Sequence, residues 1–452
     1  MLVLAFVLYL HLWPHAPVPG NDTAAYIKVA QDLRDFRLDT FQVRPPGYGW
    51  LLMLTGSTTA PTRFLLVAQL VMHLGWVGLL LFLLEQAQVN RILIGAFTLL
   101  ALLPYNVLPV ARALTESQSQ FLLVWGIGLF VLWLNRGKWL HLVWGAFFLA
   151  FLGITRPVFQ FFPPVLALLA ILLAPKLRNW RKRLLWGAAG LSLWAILIIG
   201  SLAFHNLHYH GYFGVSPLTG LHLTQKTGRV LERLPDSYAR IREVLIHYRD
   251  QSLLSEPHQF YNYIWKIPMD ELRPEEGMSY AEISAYYTRL NLVLIAKAPL
   301  IYLQEVGYSL VNYLAPMNNR LSDFSMPVLK IVWPAMHYLT LLVLLFSCLF
   351  LGGIFLLWLG LSKEQRVWFV KQWDVADRLR RSLLVLAGIA FTYNTLITIL
   401  IEMGDPRTRL PVEPMILLIG ILGLDEWLRL RSTVRECLQA YQASQVSQAE
   451  SS

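Results

Sequence analysis

Charge and cysteine are both scarce in this chain. Of its 452 residues only 15% are charged, against 56% hydrophobic. A soluble fold cannot hide that much apolar surface behind so few solvated groups, which excludes an ordinary water-soluble globular protein. Cys348 and Cys437 are the only cysteines, one inside an apolar run and one in the C-terminal tail. That argues against a disulfide framework and a cysteine-ligated zinc site. A phosphate-binding glycine loop, an HExxH pattern and a defensible Ser-His-Asp order are all missing. No repeat relates the two halves as inverted copies.

Aromatic residues, in contrast, are plentiful at 13%, with 16 Trp, 19 Tyr and 23 Phe. Trp and Tyr favour the zone where an apolar body meets wet headgroups. Mean hydropathy is +0.49 and the formal net charge +10. The basic residues lie mostly in short loops between apolar runs. They therefore speak for topology and contact with anionic membrane lipids, not for nucleic acid.

A membrane helix needs roughly 20 apolar residues, because hydrocarbon satisfies no backbone polar group. On that criterion about ten spans are expected, near 1–13, 62–84, 92–110, 118–134, 139–155, 158–174, 184–204, 328–358, 382–401 and 411–428. The fold class is thus an all-α polytopic membrane protein. The first run is short and has neither a basic flank nor a small-residue cleavage site, so a late start or trimmed N-terminus is expected instead of a signal peptide. The organisation reads as an N-terminal membrane module (1–205), a large loop (206–327), C-terminal membrane helices (328–437) and a Gln/Ser/Ala-rich disordered tail (438–452).

Loop charge orients the chain. Lys176, Arg178, Arg181, Lys182 and Arg183 fill one short loop. Lys363, Arg366, Lys371, Arg378, Arg380 and Arg381 fill another. Arg136, Lys138, Arg429, Arg431 and Arg435 fall on the same side. That side, with both termini, is expected in the cytoplasm. The long connections at 14–61 and 206–327 then face outward. Within the latter, 281–314 reads as one amphipathic helix along the surface, with Tyr286, Leu290, Leu294, Ala298, Tyr302, Val306 and Leu310 on one face.

The outer loops hold the residues able to carry chemistry. Asp22, in Asn21-Asp22-Thr23-Ala24-Ala25-Tyr26, sits just beyond the first span. It suits a general base toward an incoming hydroxyl, and equally the N-cap of a helix from Thr23 to about Phe36. In Arg44-Pro45-Pro46-Gly47-Tyr48, Pro45 forces Arg44 toward an extended backbone. The guanidinium held there suits a phosphate, or a snorkelling anchor. Arg112 and Glu116 flank Ala113-Leu114-Thr115. Thr155-Arg156-Pro157 ends the fifth span, and Asp405-Pro406-Arg407-Thr408-Arg409-Leu410-Pro411 joins the last two. Outer arginines run against the positive-inside rule, so together they suggest a shared anionic ligand. Glu116 could hold a divalent cation with Asp22, position a basic group, or simply pair with Arg112. His205, His208 and His210 cluster, with His222 further on; the spacing could serve a metal, but no carboxylate or cysteine completes the set, so satisfied, partly exposed histidines are the commoner outcome.

Taken in order, Asn-Asp-Thr-x-x-Tyr, Arg-Pro-Pro-Gly-Tyr, Leu-Thr-Glu, Thr-Arg-Pro and Pro-Arg-Thr-Arg-Leu-Pro-Val-Glu-Pro resemble the polytopic class C (GT-C) glycosyltransferases. Nearest are the dolichyl-phosphate-mannose-protein mannosyltransferase-like and lipid A aminoarabinose transferase-like enzymes. The resemblance runs from Asp22 to about Leu428, and Asn206–Leu221 looks like the opening of that group's large outer loop. It implies a polyprenyl-phosphate sugar donor, a lipid, glycan or protein acceptor, and inverting transfer on the outer face of a bacterial inner or plasma membrane. Asp22 would match the catalytic base. Arg44, Arg156, Arg407 and Arg409 would bind the donor phosphate, with Tyr26, Tyr48, Glu116 and Arg112 in support. Asp22 and Glu116 would be the ligands of any divalent cation, magnesium or manganese. Three features depart from the pattern: Thr23 follows Asp22 where relatives carry a second acid, Thr408 stands where a Tyr is common, and the first span is short. A transporter or flippase of lipid-linked sugars is the alternative, and a non-catalytic scaffold a third reading.

Overall fold

The computed structural model describes residues 2–12, 15–40, 43–315 and 375–429, with scattered positions between 335 and 353. The expected span at 328–358 lies almost wholly outside the described residues. So do Lys363, Arg366, Lys371, Arg431, Arg435, both cysteines and the tail 438–452.

Apart from one pair of two-residue strands, the regular structure described is helical. In chain order the N-terminal half holds α1 (Leu2–Leu12), β1 (Val18–Pro19), α2 (Thr23–Arg34), α3 (Pro46–Leu54), α4 (Arg63–Gln86), α5 (Arg91–Ala101), β2 (Arg112–Ala113), α6 (Glu116–Arg136) and α7 (Trp139–Thr155). There follow α8 (Phe162–Leu173), α9 (Arg181–His210, continuous through a π-helical stretch at Ala195–Gly200), α10 (Thr219–Thr227) and α11 (Ala239–Ser255). Then come α12 (Tyr280–Lys297), α13 (Pro299–Leu314), α14 (Val375–Ile401) and α15 (413–429).

Among the described residues α4, α6, α9 and most of α14 are long and apolar enough to cross a membrane, and the bent pair α12–α13 makes a fifth if it counts as one span. The chain is therefore an integral membrane protein. The expected ten spans are not all matched by helices of that length. α1, α5, α7 and the stretch Pro157–Leu173 are shorter apolar helices. The run at 92–110 is not one helix: α5 stops at Ala101, and Pro104 and Pro109 restart the chain as short turns before β2. Nor is 281–314 one surface helix. It breaks by 109° at Ala298, whose φ −141°, ψ 55° is the non-helical geometry that a following proline imposes.

The bundle core joins α4, α6, α7, α8, α9, α14 and α15 through residues such as Trp76, Leu123, Phe130, Leu149, Leu191, Leu383 and Met415. A second apolar core lies within 218–298, around Leu221, Tyr263, Ile264, Tyr287 and Leu294. α6 begins at Glu116 and ends at Arg136, roughly 30 Å apart at helical rise. At the Arg136 end the basic turns dock on one another. Arg183 donates to the carbonyls of Leu134 and Asn135, Arg136 to Gln86, Arg381 to Glu426, and Arg429 to the carbonyl of Gln88. The Glu116 end carries the loops considered next.

Candidate functional site

The first loop is fastened by β1, which pairs in parallel with β2: Val18 opposite Arg112 and Pro19 opposite Ala113. The Thr23 hydroxyl takes the Gly20 N–H at 2.7 Å and donates to the Ala113 carbonyl at 2.8 Å. These bonds set Asp22 beside the start of α6. Asp22 occupies the N-cap position of α2, but its carboxylate makes no capping bond. The expected cap is thus replaced. Arg44 Nη2 donates to Asp22 Oδ1 at 2.6 Å, and Arg407 Nη1 to Oδ2 at 2.9 Å.

Arg44 is delivered by the turn into α3. A Cβ at Gly47 would lie 2.6 Å from both the Ile154 carbonyl oxygen and the Thr155 Cα, so only glycine lets this turn press against the end of α7. The same contact brings Arg156 alongside, and Gln118 donates to the Gly47 carbonyl at 3.2 Å. Behind Asp22, Tyr26 packs edge-on against Tyr48, with centroids 5.3 Å apart, and the Arg44 guanidinium sits 5.5 Å over the Tyr26 ring. Tyr48 is fully buried, and its hydroxyl donates to Gln69, whose amide in turn donates to the carbonyls of Val110 and Arg112. Tyr48 and the Arg112 backbone thus brace the first loop.

Glu116 is only 2% exposed. Arg407 Nε donates to its Oε1, and Arg156 Nη1 lies 3.5 Å from the same oxygen. Arg407 therefore bridges both acids, and three guanidiniums face two carboxylates. The Arg407 loop is anchored by Gly404, at φ +68°, where a Cβ would collide with the Ser309 carbonyl oxygen. Asp405 caps the turn by accepting from the Arg407 N–H.

Arg409 does not join the cluster. It is 0% exposed, with Nε bonded to Glu413 at 2.6 Å and Nη1 to the Tyr313 carbonyl. Residues two apart on a helical turn point in nearly opposite directions, so Arg407 and Arg409 diverge. The expected donor-phosphate role of Arg409 gives way to a brace between α13 and α15. Arg409→Ala is therefore expected to lower the thermal unfolding temperature while leaving the affinity for a lipid phosphate unchanged. Paired melting and binding measurements check both.

Asp22, Tyr26, Arg44, Arg156 and Arg407 line one cavity of about 850 Å³. Val158, Phe161, Ile397, Ile401 and Met403 give it an apolar flank beside the end of α14. Burial pushes the Asp22 carboxyl up, but Arg44, Arg407 and Arg156 outweigh it, so its pKa lies below the usual value. Burial works against the Arg407 charge, and Glu116 and Asp22 more than restore it, so its pKa is raised. The sign for pH follows. Asp22 stabilises the fold above the ordinary carboxylate pKa of about 3.9, and that contribution fades only as pH falls through the depressed folded value. Any activity that needs ionised Asp22 is expected to hold kcat/KM flat down to about pH 4, and a pH–rate profile measures that.

Asp22 and Glu116, the acids expected to ligate any divalent cation, are here bridged by Arg407, and both Asp22 oxygens and Glu116 Oε1 accept from guanidiniums. Among the described residues no group of three His, Cys, Asp or Glu side chains gathers as a metal site. That includes His205 and His210, whose rings lie 6.3 Å apart.

No family model and no curated protein matches the chain. Among solved structures, the archaeal oligosaccharyltransferase AglB from Archaeoglobus fulgidus, in complex with an inhibitory peptide and a dolichol-phosphate, is similar over 98% of this chain and 51% of its own, at 13% identity and a TM-score of 0.46. The chain spans about half the length of that protein.

Several cavity-lining residues carried no sequence signal. Gln160, Gln225, Tyr261, Asn262 and Trp265 come from segments far apart in the chain. His222, which also lines the cavity, stood out in the sequence only as an outlier of the histidine group.

Proposed function

We propose that the protein is an inverting glycosyltransferase that moves a sugar from a polyprenyl-phosphate donor to a lipid, glycan or protein acceptor. The observation that carries this reading is the convergence of one ionised carboxylate and three guanidiniums on a single cavity with an apolar flank. Arg44, Arg156 and Arg407 suit the donor phosphate, and Val158, Phe161, Ile397 and Ile401 suit the start of its polyprenyl chain.

In this mechanism the phosphate draws Arg44 and Arg407 away from Asp22. The freed carboxylate loses its main stabilising partners and becomes a stronger base. It takes the proton of the acceptor hydroxyl as the acceptor oxygen bonds to the anomeric carbon. The bond from that carbon to the phosphate oxygen breaks on the opposite face, and its electron pair stays on the phosphate. The guanidiniums stabilise the charge that grows there.

The basic turns at the far end of α6 support a site on the outer face of a plasma or bacterial inner membrane. A transporter is less well supported, because the ionic cluster lies at helix ends and in loops and not midway along a span. The anomeric configuration of a product made from a defined donor tests the proposal: inversion is expected. Retention would rule out single displacement, and donor crossing the bilayer without transfer would favour the transporter.

A further inference from the structure

The cavity lining is of two chemical kinds. The cations cluster around Asp22. Another wall is built from α10 and a 3₁₀ helix at Pro257–Lys266. Trp265 is 43% exposed on that wall, with the His222 ring set edge-on to its indole at 5.1 Å and 65°. Beside it, His222 Nδ1 lies 3.3 Å from Gln225 Oε1, and Gln225 Nε2 donates to Asn262 Oδ1 at 3.3 Å. Asn262 and Trp265 are three apart, the spacing that eclipses side chains in a 3₁₀ helix, so they share a face.

The wall is rigid. Its other side feeds Leu221, Tyr263 and Ile264 into the second apolar core. The Tyr263 hydroxyl donates to the Thr224 carbonyl at 2.8 Å, and Asn291 donates to Gly220 O and Thr224 Oγ1, each at 2.9 Å. The wall's cation, Lys266, is paired with Glu256 at 3.1 Å, so it adds no anion site of its own. A partly exposed indole beside the Asn262 amide, which the buried Gln225 amide orients, recognises a neutral ring bearing many hydroxyls. The apolar face of such a ring stacks, and its hydroxyls exchange hydrogen bonds.

We infer that the wall formed by His222, Gln225, Asn262 and Trp265 seats a neutral sugar ring, stacked on Trp265 and held by the Asn262 amide, which Gln225 positions. This deepens the proposed function and rests on it. The ring belongs either to the donor, beyond its phosphate, or to a glycan acceptor, and the two sources separate by experiment.

The full chain in proteoliposomes would be tested with radiolabelled polyprenyl-phosphate hexoses and pentoses, with bare polyprenyl phosphate, and with methyl glycosides as inhibitors of transfer. Wild type, Trp265→Ala, Trp265→Phe and Gln225→Ala would be compared, with melting curves as the folding control. Trp265→Ala is expected to weaken one arm about tenfold and Trp265→Phe much less, the scale of losing a central aromatic contact. Loss confined to the sugar-bearing donor, with bare polyprenyl phosphate unchanged, assigns the ring to the donor. Loss confined to methyl-glycoside inhibition assigns it to the acceptor. Equal weakening of bare polyprenyl phosphate overturns the inference by making the wall a lipid site. So does wild-type behaviour of both Trp265→Ala and Gln225→Ala in both arms. A wild-type protein that neither binds nor consumes any polyprenyl-phosphate sugar ends the proposed function and this inference with it.

Discussion

Asp22→Asn is expected to lower the rate of sugar transfer by about two to four orders of magnitude, the scale of losing a positioned general base, while the protein still folds. The amide is nearly the same shape but cannot take the proton. It also turns an N–H₂ donor toward guanidiniums that need an acceptor, so at least one of the two bonds from Arg44 and Arg407 is lost. Asp22 is partly solvated, its side chain 24% exposed, so the structural cost stays modest. The substitution also removes the one negative charge that competes with a phosphate for Arg44. Affinity for bare polyprenyl phosphate is therefore expected to hold or rise while the rate collapses. A merely structural Asp22 would lose both together, so a binding isotherm beside the rate separates the two roles.

Arg407→Ala is expected to damage both catalysis and the fold. One side chain bridges Asp22 and Glu116, and its removal leaves Glu116 with Arg156 at 3.5 Å. Stripping a partner from a carboxylate this deeply buried costs about 3 kcal/mol or more. The missing donor to the departing phosphate costs a further factor of about 10² to 10³ in rate. Arg407→Lys separates the contributions: it restores charge but not a planar fork able to serve two acids at once. Its unfolding temperature should recover more than its transfer rate. If transfer recovers fully, Arg407 acts as a point charge and the bridging geometry is unimportant.

Much of the ionic cluster was legible in the sequence. Asp22, Arg44, Glu116, Arg156 and Arg407 each sit at the end of an apolar run, in a short motif whose proline or polar neighbour fixes the backbone. Such local rules transfer directly to structure. Arg409 differs because residue type carries no direction. At two residues from Arg407 it faces Glu413 and the α13 carbonyls, as the helical period requires. The bend at Ala298 was legible in principle, because Pro299 follows it, but the apolar periodicity continues across and masks the break. The strand pair at 18–19 and 112–113 was not legible: two residues carry no pattern, and only tertiary packing brings the loops together. The Trp265 wall was hidden for the same reason. Its side chains come from a helix and a 3₁₀ segment separated by about thirty residues, without a shared period.

Sugar transfer by the purified chain in proteoliposomes, wild type against Asp22→Asn, tests the central claim most directly. A radiolabelled polyprenyl-phosphate sugar would be supplied with a membrane extract of acceptors, and both the label in product and the released polyprenyl phosphate would be followed. The account predicts that wild type moves label with stoichiometric release of the lipid phosphate, and that the folded Asp22→Asn variant does neither. Equal transfer by both proteins would contradict it, moving the base away from Asp22 and leaving the acid–arginine cluster with a structural role.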